Sequence, residues 1–157
     1  MPPSVYIETS IVSYLVARPS RDVIMAERQR QTREWWTNHR GEYRLFSSES
    51  VLYEVGRGEA AMARMRAASL NHIPLLRTRT EVEDLAEALI TDGPLPDKAK
   101  SDAIHIALAA VSGLDYLLTW NCRHIANPRM YPTITRLCRE RGYVTPVLCT
   151  PAVLLRR

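Results

Sequence analysis

Short β-prone apolar runs alternate along this chain with longer stretches whose apolar residues recur at helical spacing. Val5-Tyr6-Ile7 predicts a first strand, followed at once by Glu8-Thr9-Ser10 and a helix carrying the apolar stretch from Ile11 to Val16. Residues 22 to 40 mix charges of both signs with Ile24, Met25, Trp35 and Trp36 as apolar contacts, and Gly41 supplies a stop. That pattern predicts a long helix with a polar face. Trp35 and Trp36 are adjacent and point about 100° apart on a helix, so they cannot both face one core, and we expect both to be partly covered.

Tyr43-Arg44-Leu45-Phe46 predicts a second strand, after which Ser47 or Ser48 can cap a short helix carrying Val51, Leu52, Glu54 and Val55, ended by Gly56 and Gly58. Residues 59 to 70 are good helix formers, while Ile73-Pro74-Leu75-Leu76 offers at most a short strand. Thr80-Glu81-Val82-Glu83 fits a capping box and opens a helix that Gly93 and Pro94 close. Asp97 is the expected N-cap of the next helix, which runs to about Ser112 with Gly113 as its stop. Tyr116-Leu117-Leu118-Thr119-Trp120 then predicts a buried strand, Asn121 a polar turn, residues 132 to 141 a helix, and Val147-Leu148-Cys149 a last strand.

Strands joined by helices imply a mostly parallel sheet covered on both faces, because parallel strands need crossover connections and crossovers are usually helical. No repeat, low-complexity tract or linker interrupts the pattern. The 157 residues therefore read as one domain, long enough to bury a core without staples.

Composition narrows the class. Apolar residues make up 46% and charged residues 24%, which excludes a disordered or collagen-like chain. Cys122, Cys138 and Cys149 are an odd set too widely spaced for a C-x-x-C motif, so reduced thiols and a cytoplasmic protein are expected. No apolar run approaches the roughly 20 residues of a membrane span, and Met1-Pro2-Pro3-Ser4 lacks the features of a signal peptide. The net charge is +4, and Lys98 and Lys100 are the only lysines, so arginine dominates the basic surface. Such a surface suits a polyanion but equally well a solvated exterior.

In open α/β sheets the ligand crevice lies beyond the carboxyl ends of the strands, which brings Glu8, Ser48 and Asn121 forward as the polar residues that follow strands. Glu54 and Asp102 stand instead inside predicted helices among apolar neighbours. The helix from Lys98 to Ala109 is apolar almost all round after Asp102, and an unpaired buried carboxylate costs several kcal/mol, on the order of a buried ion's desolvation. Asp102 must therefore meet a cation, hydrogen-bond donors or a metal ion, or else exploit the positive helix start. Carboxylates that converge repel one another unless a divalent cation offsets them, and oxygen ligands favour Mg²⁺ or Mn²⁺.

Taken together, Tyr6-Ile7-Glu8-Thr9-Ser10, Ser48-Glu49-Ser50-Val51-Leu52-Tyr53-Glu54, Ser101-Asp102-Ala103-Ile104-His105-Ile106-Ala107 and Tyr116-Leu117-Leu118-Thr119-Trp120-Asn121 resemble, in order, the motifs of the PIN-domain family, and most closely its VapC-like branch. The resemblance implies a three-layer α/β/α sandwich, a metal-dependent endoribonuclease and an acidic centre binding Mg²⁺ or Mn²⁺. Glu8, Glu54 and Asp102 would be the metal-binding acids, supported by Thr9 and Ser10. It further implies an RNA substrate, a small antitoxin protein as partner and a homodimer. Two positions depart from the family pattern. Glu8 stands where Asp is usual, and Asn121 replaces a fourth Asp, so an amide there would ligate only weakly and at most one firm metal site is expected.

Asp97 and Asp115 can in principle replace the missing charge, but read first as an N-cap and a turn residue. His105 reads as a hydrogen-bonded core residue, and His124 and Asn127 either shape the entrance to the site or cap their loop. The alternative to catalysis is a degenerate PIN domain that binds RNA or a protein partner. A nucleotide-binding module finds less support, because the chain has neither G-x-G-x-x-G nor G-x-x-x-x-G-K.

Overall fold

The computed structural model describes residues 1–156. Its strands are β1 (Ser4–Ile7), β2 (Arg44–Ser48), β3 (Leu75–Leu76), β4 (Tyr116–Leu118) and β5 (Val147–Cys149). They form one sheet in the order β3-β2-β1-β4-β5, and every neighbouring pair is parallel. β1 lies at the centre, with Tyr6 beside Phe46 on one side and Ile7 beside Leu118 on the other. Val5, Tyr6 and Ile7 are wholly buried, as an unbroken apolar run in a sheet covered on both faces should be.

The helices are α1 (Thr9–Val16), α2 (Val23–Asn38), α3 (Glu49–Val55), α4 (Ala60–Ser69), α5 (Thr80–Thr91), α6 (Lys100–Val111), α7 (Tyr131–Glu140) and α8 (Pro151–Leu155). α1 packs with α2, α3 and α4, and α8 joins α2, while α5 packs with α6 and α7. These two groups are the outer layers of an α/β/α fold. The chain winds outward from β1 to β2 and β3, then crosses back to β4 and β5, so the winding direction reverses between β1 and β4. Loops leaving the carboxyl ends of those two strands part in opposite directions and open a crevice there.

Local chemistry explains most element boundaries. Ser48 has extended backbone angles and its hydroxyl accepts from Val51 N at 3.1 Å, which caps α3. Asp22 caps α2 in the same way through Met25 N at 2.9 Å. The capping box expected at Thr80 does not form: Thr80 is the first helical residue, Arg79 precedes it, and no side chain caps α5. Glu81 and Glu83 still favour that end through the helix dipole. Asp97 is not an N-cap either. It belongs to a 3₁₀ turn, Asp97–Ala99, in which Ala99 N bonds to Pro96 O at 2.9 Å, so the chain is already coiled before α6 begins.

α2 buries Gln29, Thr32 and Trp35. Its first turn projects past that contact, which leaves Ile24 and Met25 exposed rather than packed as their hydrophobicity suggests. Trp35 is fully buried, and Trp36 is half-buried beneath the Arg40 guanidinium, 4.2 Å from the ring centroid. α8 is a single turn opened by Pro151 that the sequence pattern does not announce. Cys122, Cys138 and Cys149 are all free thiols. No helix among the described residues is long and apolar enough to cross a membrane.

Candidate acidic site at the reversal of the sheet

Glu8 is the residue that follows β1, and its extended backbone places it at the N-cap of α1. Its carboxylate accepts from Ser10 N at 3.1 Å, from the Ser10 hydroxyl, and from Thr119 Oγ1 at 2.6 Å. Thr119 follows β4, so Glu8 ties together the ends of the two strands between which the winding reverses. The residue is 6% exposed, and these donors compensate the cost of keeping a carboxylate there.

Glu54 enters from α3. It accepts from the Thr9 and Ser101 hydroxyls and from His105 Nε2 at 2.9 Å. His105, on α6, is buried, and its Nδ1 lies 2.6 Å from Tyr6 Oη, which in turn lies 2.8 Å from Ser48 Oγ. A connected chain of polar groups thus runs from the cap of α3 through the central strand to Glu54. Because an ionised carboxylate can only accept, Nε2 carries the proton facing Glu54 whether the ring is neutral or charged. When it is neutral, Nδ1 accepts from the Tyr6 phenol.

The electrostatics follow from these contacts. Burial pushes the Glu54 carboxyl up, but the His105 hydrogen bond and charge, together with the Ser101 and Thr9 hydroxyls, outweigh it and hold the group at about 2. Burial lowers the His105 imidazole, yet the Glu54 hydrogen bond and the charges of Glu8, Glu54 and Asp102 raise it above its ordinary value. Burial likewise raises the Tyr6 phenol well above its own, so the relay keeps its hydroxyl proton.

Glu8, Glu54 and His105 each offer a ligand atom, and these atoms lie within 4.8 Å of one another. Two carboxylates that close fit a divalent cation, which offsets their repulsion. Their oxygens suit Mg²⁺ or Mn²⁺, whereas His105 would join them as a ligand only on giving up the Nε2 proton that faces Glu54.

The other sequence candidates are distributed around this cluster. Asp102 lies on α6 with its Oδ2 2.9 Å from His124 Nδ1, making a second carboxylate–imidazole pair beside the first. Asn121 Oδ1 accepts from His124 N at 3.0 Å, so its amide oxygen closes the turn after β4. Thr9 and Ser10 each hold one carboxylate, Glu54 and Glu8 respectively. Asn127 braces its own loop through Arg129 N at 3.0 Å and Arg123 O at 2.9 Å. Asp115 accepts from Ser4 N at 2.8 Å and Ser4 Oγ at 3.0 Å at the opposite end of the sheet, where those bonds hold its carboxyl below the usual range. It cannot supply the missing acid. Asp97 lines a different hollow, between α5 and α6.

Sequence reasoning did not assign Tyr6, Ser101, Thr119 or the Glu54 contact of His105 to the site. Two signals were present. Ser101 and His105 are four residues apart on α6 and share a face. Tyr6 carries a polar tip in an otherwise apolar strand, and a buried phenol needs a partner. No model of a known protein family matches this sequence, and no protein of curated function matches it significantly.

Proposed function

We propose that this chain is a PIN-like, metal-dependent endoribonuclease of the VapC-like kind. The observation that carries the reading is the convergence of Glu8 and Glu54, with His105, at the carboxyl ends of β1 and β4, where the sheet reverses direction. Glu8 and Glu54 hold Mg²⁺ or Mn²⁺ in this reading. Asp102 contributes a third acid from α6, and Asn121 assists weakly. A divalent cation held by these acids would supply Lewis-acid chemistry, activating water and offsetting charge on the phosphoryl oxygens.

The chain's own residues arrange that chemistry. Ser10 and Thr119 fix the Glu8 carboxylate, and Thr9, Ser101 and His105 fix that of Glu54, so neither must reorganise to meet a cation. His124 holds Asp102 at the edge of the cluster. RNA as substrate, a small antitoxin protein as partner and a homodimer belong to this proposal through the resemblance of the motifs, and a cytoplasmic location through the odd set of free cysteines.

The amide of Asn121, with its oxygen engaged by His124 N, favours one alternative: a degenerate PIN domain that binds RNA or a protein without cutting it. Calorimetric titration with Mn²⁺ separates the two. The nuclease reading expects saturable binding that Glu8→Gln and Glu54→Gln each remove; heat indistinguishable from buffer in the well-folded wild-type protein rejects it in favour of the binding module.

A further inference from the structure

Glu54 has neighbours that the acidic cluster does not use. Ser50, Tyr53 and Glu54 are spaced to share one face of α3, and Arg57 follows in the turn after that helix. Across from them stand Lys100 and Ile104 of α6, with Thr78 between, and together they line a groove of about 630 Å³ that opens beside Glu54 and Ser101. Tyr53 is 74% exposed, so its ring has no role in the core. Glu49, at the groove's edge, is taken up by Arg77 at 3.2 Å. Arg57 and Lys100 form no salt bridge among the described residues, and with Glu49 paired they face Glu54 as the one remaining anion of the lining.

An exposed aromatic ring that shares a groove with two cations is a combination that single-stranded nucleic acid recognises: the ring offers a face for a base, and the cations meet the phosphates. The neighbouring hollow between α5 and α6, about 610 Å³, shares Lys100 with the groove but sets Glu83, Glu87 and Asp97 against it, so its charged lining is net acidic and disfavours phosphate. It bounds the path of a strand on that side.

We propose that this groove is a nucleotide subsite in which Tyr53 stacks on a base of single-stranded RNA while Arg57 and Lys100 hold the adjoining phosphates, leading the strand to the Glu54 centre. The inference rests on the ribonuclease reading for its substrate. It names Tyr53 as a substrate-binding residue and implies that duplex RNA, whose bases are already stacked, is a poor ligand.

The test is fluorescence anisotropy with a fluorescein-labelled single-stranded RNA of mixed sequence, in EDTA so that no cleavage intervenes. Tyr53→Ala should weaken binding roughly 5- to 100-fold, as loss of one base-stacking contact does, whereas Tyr53→Trp should restore it. Arg57→Ala and Lys100→Ala should each weaken binding and reduce the slope of log affinity against log salt by about 0.7. Unchanged affinity in Tyr53→Ala overturns the subsite and leaves the ring to a protein partner; wild-type protein that does not bind the RNA, or a duplex that loses as much affinity on the same change, overturns it too. Tyr53-dependent binding by a protein that cuts no RNA with Mn²⁺ would instead uphold the subsite and reject only the nuclease reading.

Discussion

Tyr6 Oη lies 2.6 Å from His105 Nδ1, and this contact joins the middle of the central strand to the carboxylate of Glu54 through the other nitrogen of the same ring. Both residues are buried, so neither ring nitrogen can turn to solvent for a replacement partner. Tyr6→Phe keeps the ring and deletes only the hydroxyl. It leaves His105 Nδ1 unpaired and should cost about 1–3 kcal/mol in urea unfolding. Mn²⁺ affinity should fall as well, because the bond that fixes the His105 ring against Glu54 is lost. His105→Gln, which keeps an N–H donor near Glu54, should lose less affinity than His105→Leu. Wild-type stability and Mn²⁺ affinity in Tyr6→Phe would show that the relay does not position Glu54.

The same pair sets a pH dependence for the metal-free protein. Glu54 is held at about 2 against an ordinary 4.5, so its contribution to stability is present above 4.5 and is lost as pH falls towards 2. Asp115, also lowered, adds to that acid limb. His105 is raised above its ordinary 6.5, so its contribution is complete below 6.5 and is lost as pH rises through the higher folded value. Urea midpoints measured in EDTA from acid to alkaline pH should therefore peak in the mildly acidic range. Glu54→Gln should flatten both limbs; a profile parallel to wild type would contradict the coupling.

Gly93, just beyond α5, tests the packing of that helix against α7. A Cβ at this position would meet Leu89 O at 2.5 Å and Leu137 Cδ1 at 2.9 Å. The first obstacle is backbone and cannot swing aside, so Gly93→Ala should destabilise by about 1–3 kcal/mol in urea. Gly41→Ala, where nothing lies within 4 Å, should stay within about 0.5 kcal/mol of wild type. Equal stability of the two variants would refute the close approach of Gly93 to the last turn of α5 and to Leu137 of α7.

Much of this architecture is legible in the sequence because the sheet is buried on both sides. Val5-Tyr6-Ile7 and Tyr116-Leu117-Leu118 are apolar runs that only a covered strand explains, and Ser48 declares the start of α3 through an ordinary cap. What escaped depends on tertiary placement. The 3₁₀ turn before α6 displaced the cap expected at Asp97, and the register of α5 put Thr80 inside the helix. In the site, Glu8 stands out as the polar residue after a strand and Glu54 as a carboxylate among apolar neighbours inside a helix. Asp102 was noticed for its apolar surroundings, but its partner His124 lies 22 residues away across a turn, and no local spacing shows that meeting. His105 is the hydrogen-bonded core residue that its apolar helix predicts, but that its bond reaches Glu54, 51 residues distant, emerges only from the fold.

Cleavage of a mixed RNA pool by purified protein, with Mn²⁺ and with EDTA, tests the ribonuclease proposal most directly, with Asp102→Asn purified in parallel to expose any contaminating nuclease. Wild type should cut in Mn²⁺ and not in EDTA, and Asp102→Asn should lose at least about 100-fold while its urea unfolding stays cooperative. Cutting that persists in EDTA or in Asp102→Asn at the wild-type rate, or no cutting by folded wild-type protein with either Mg²⁺ or Mn²⁺, would contradict it.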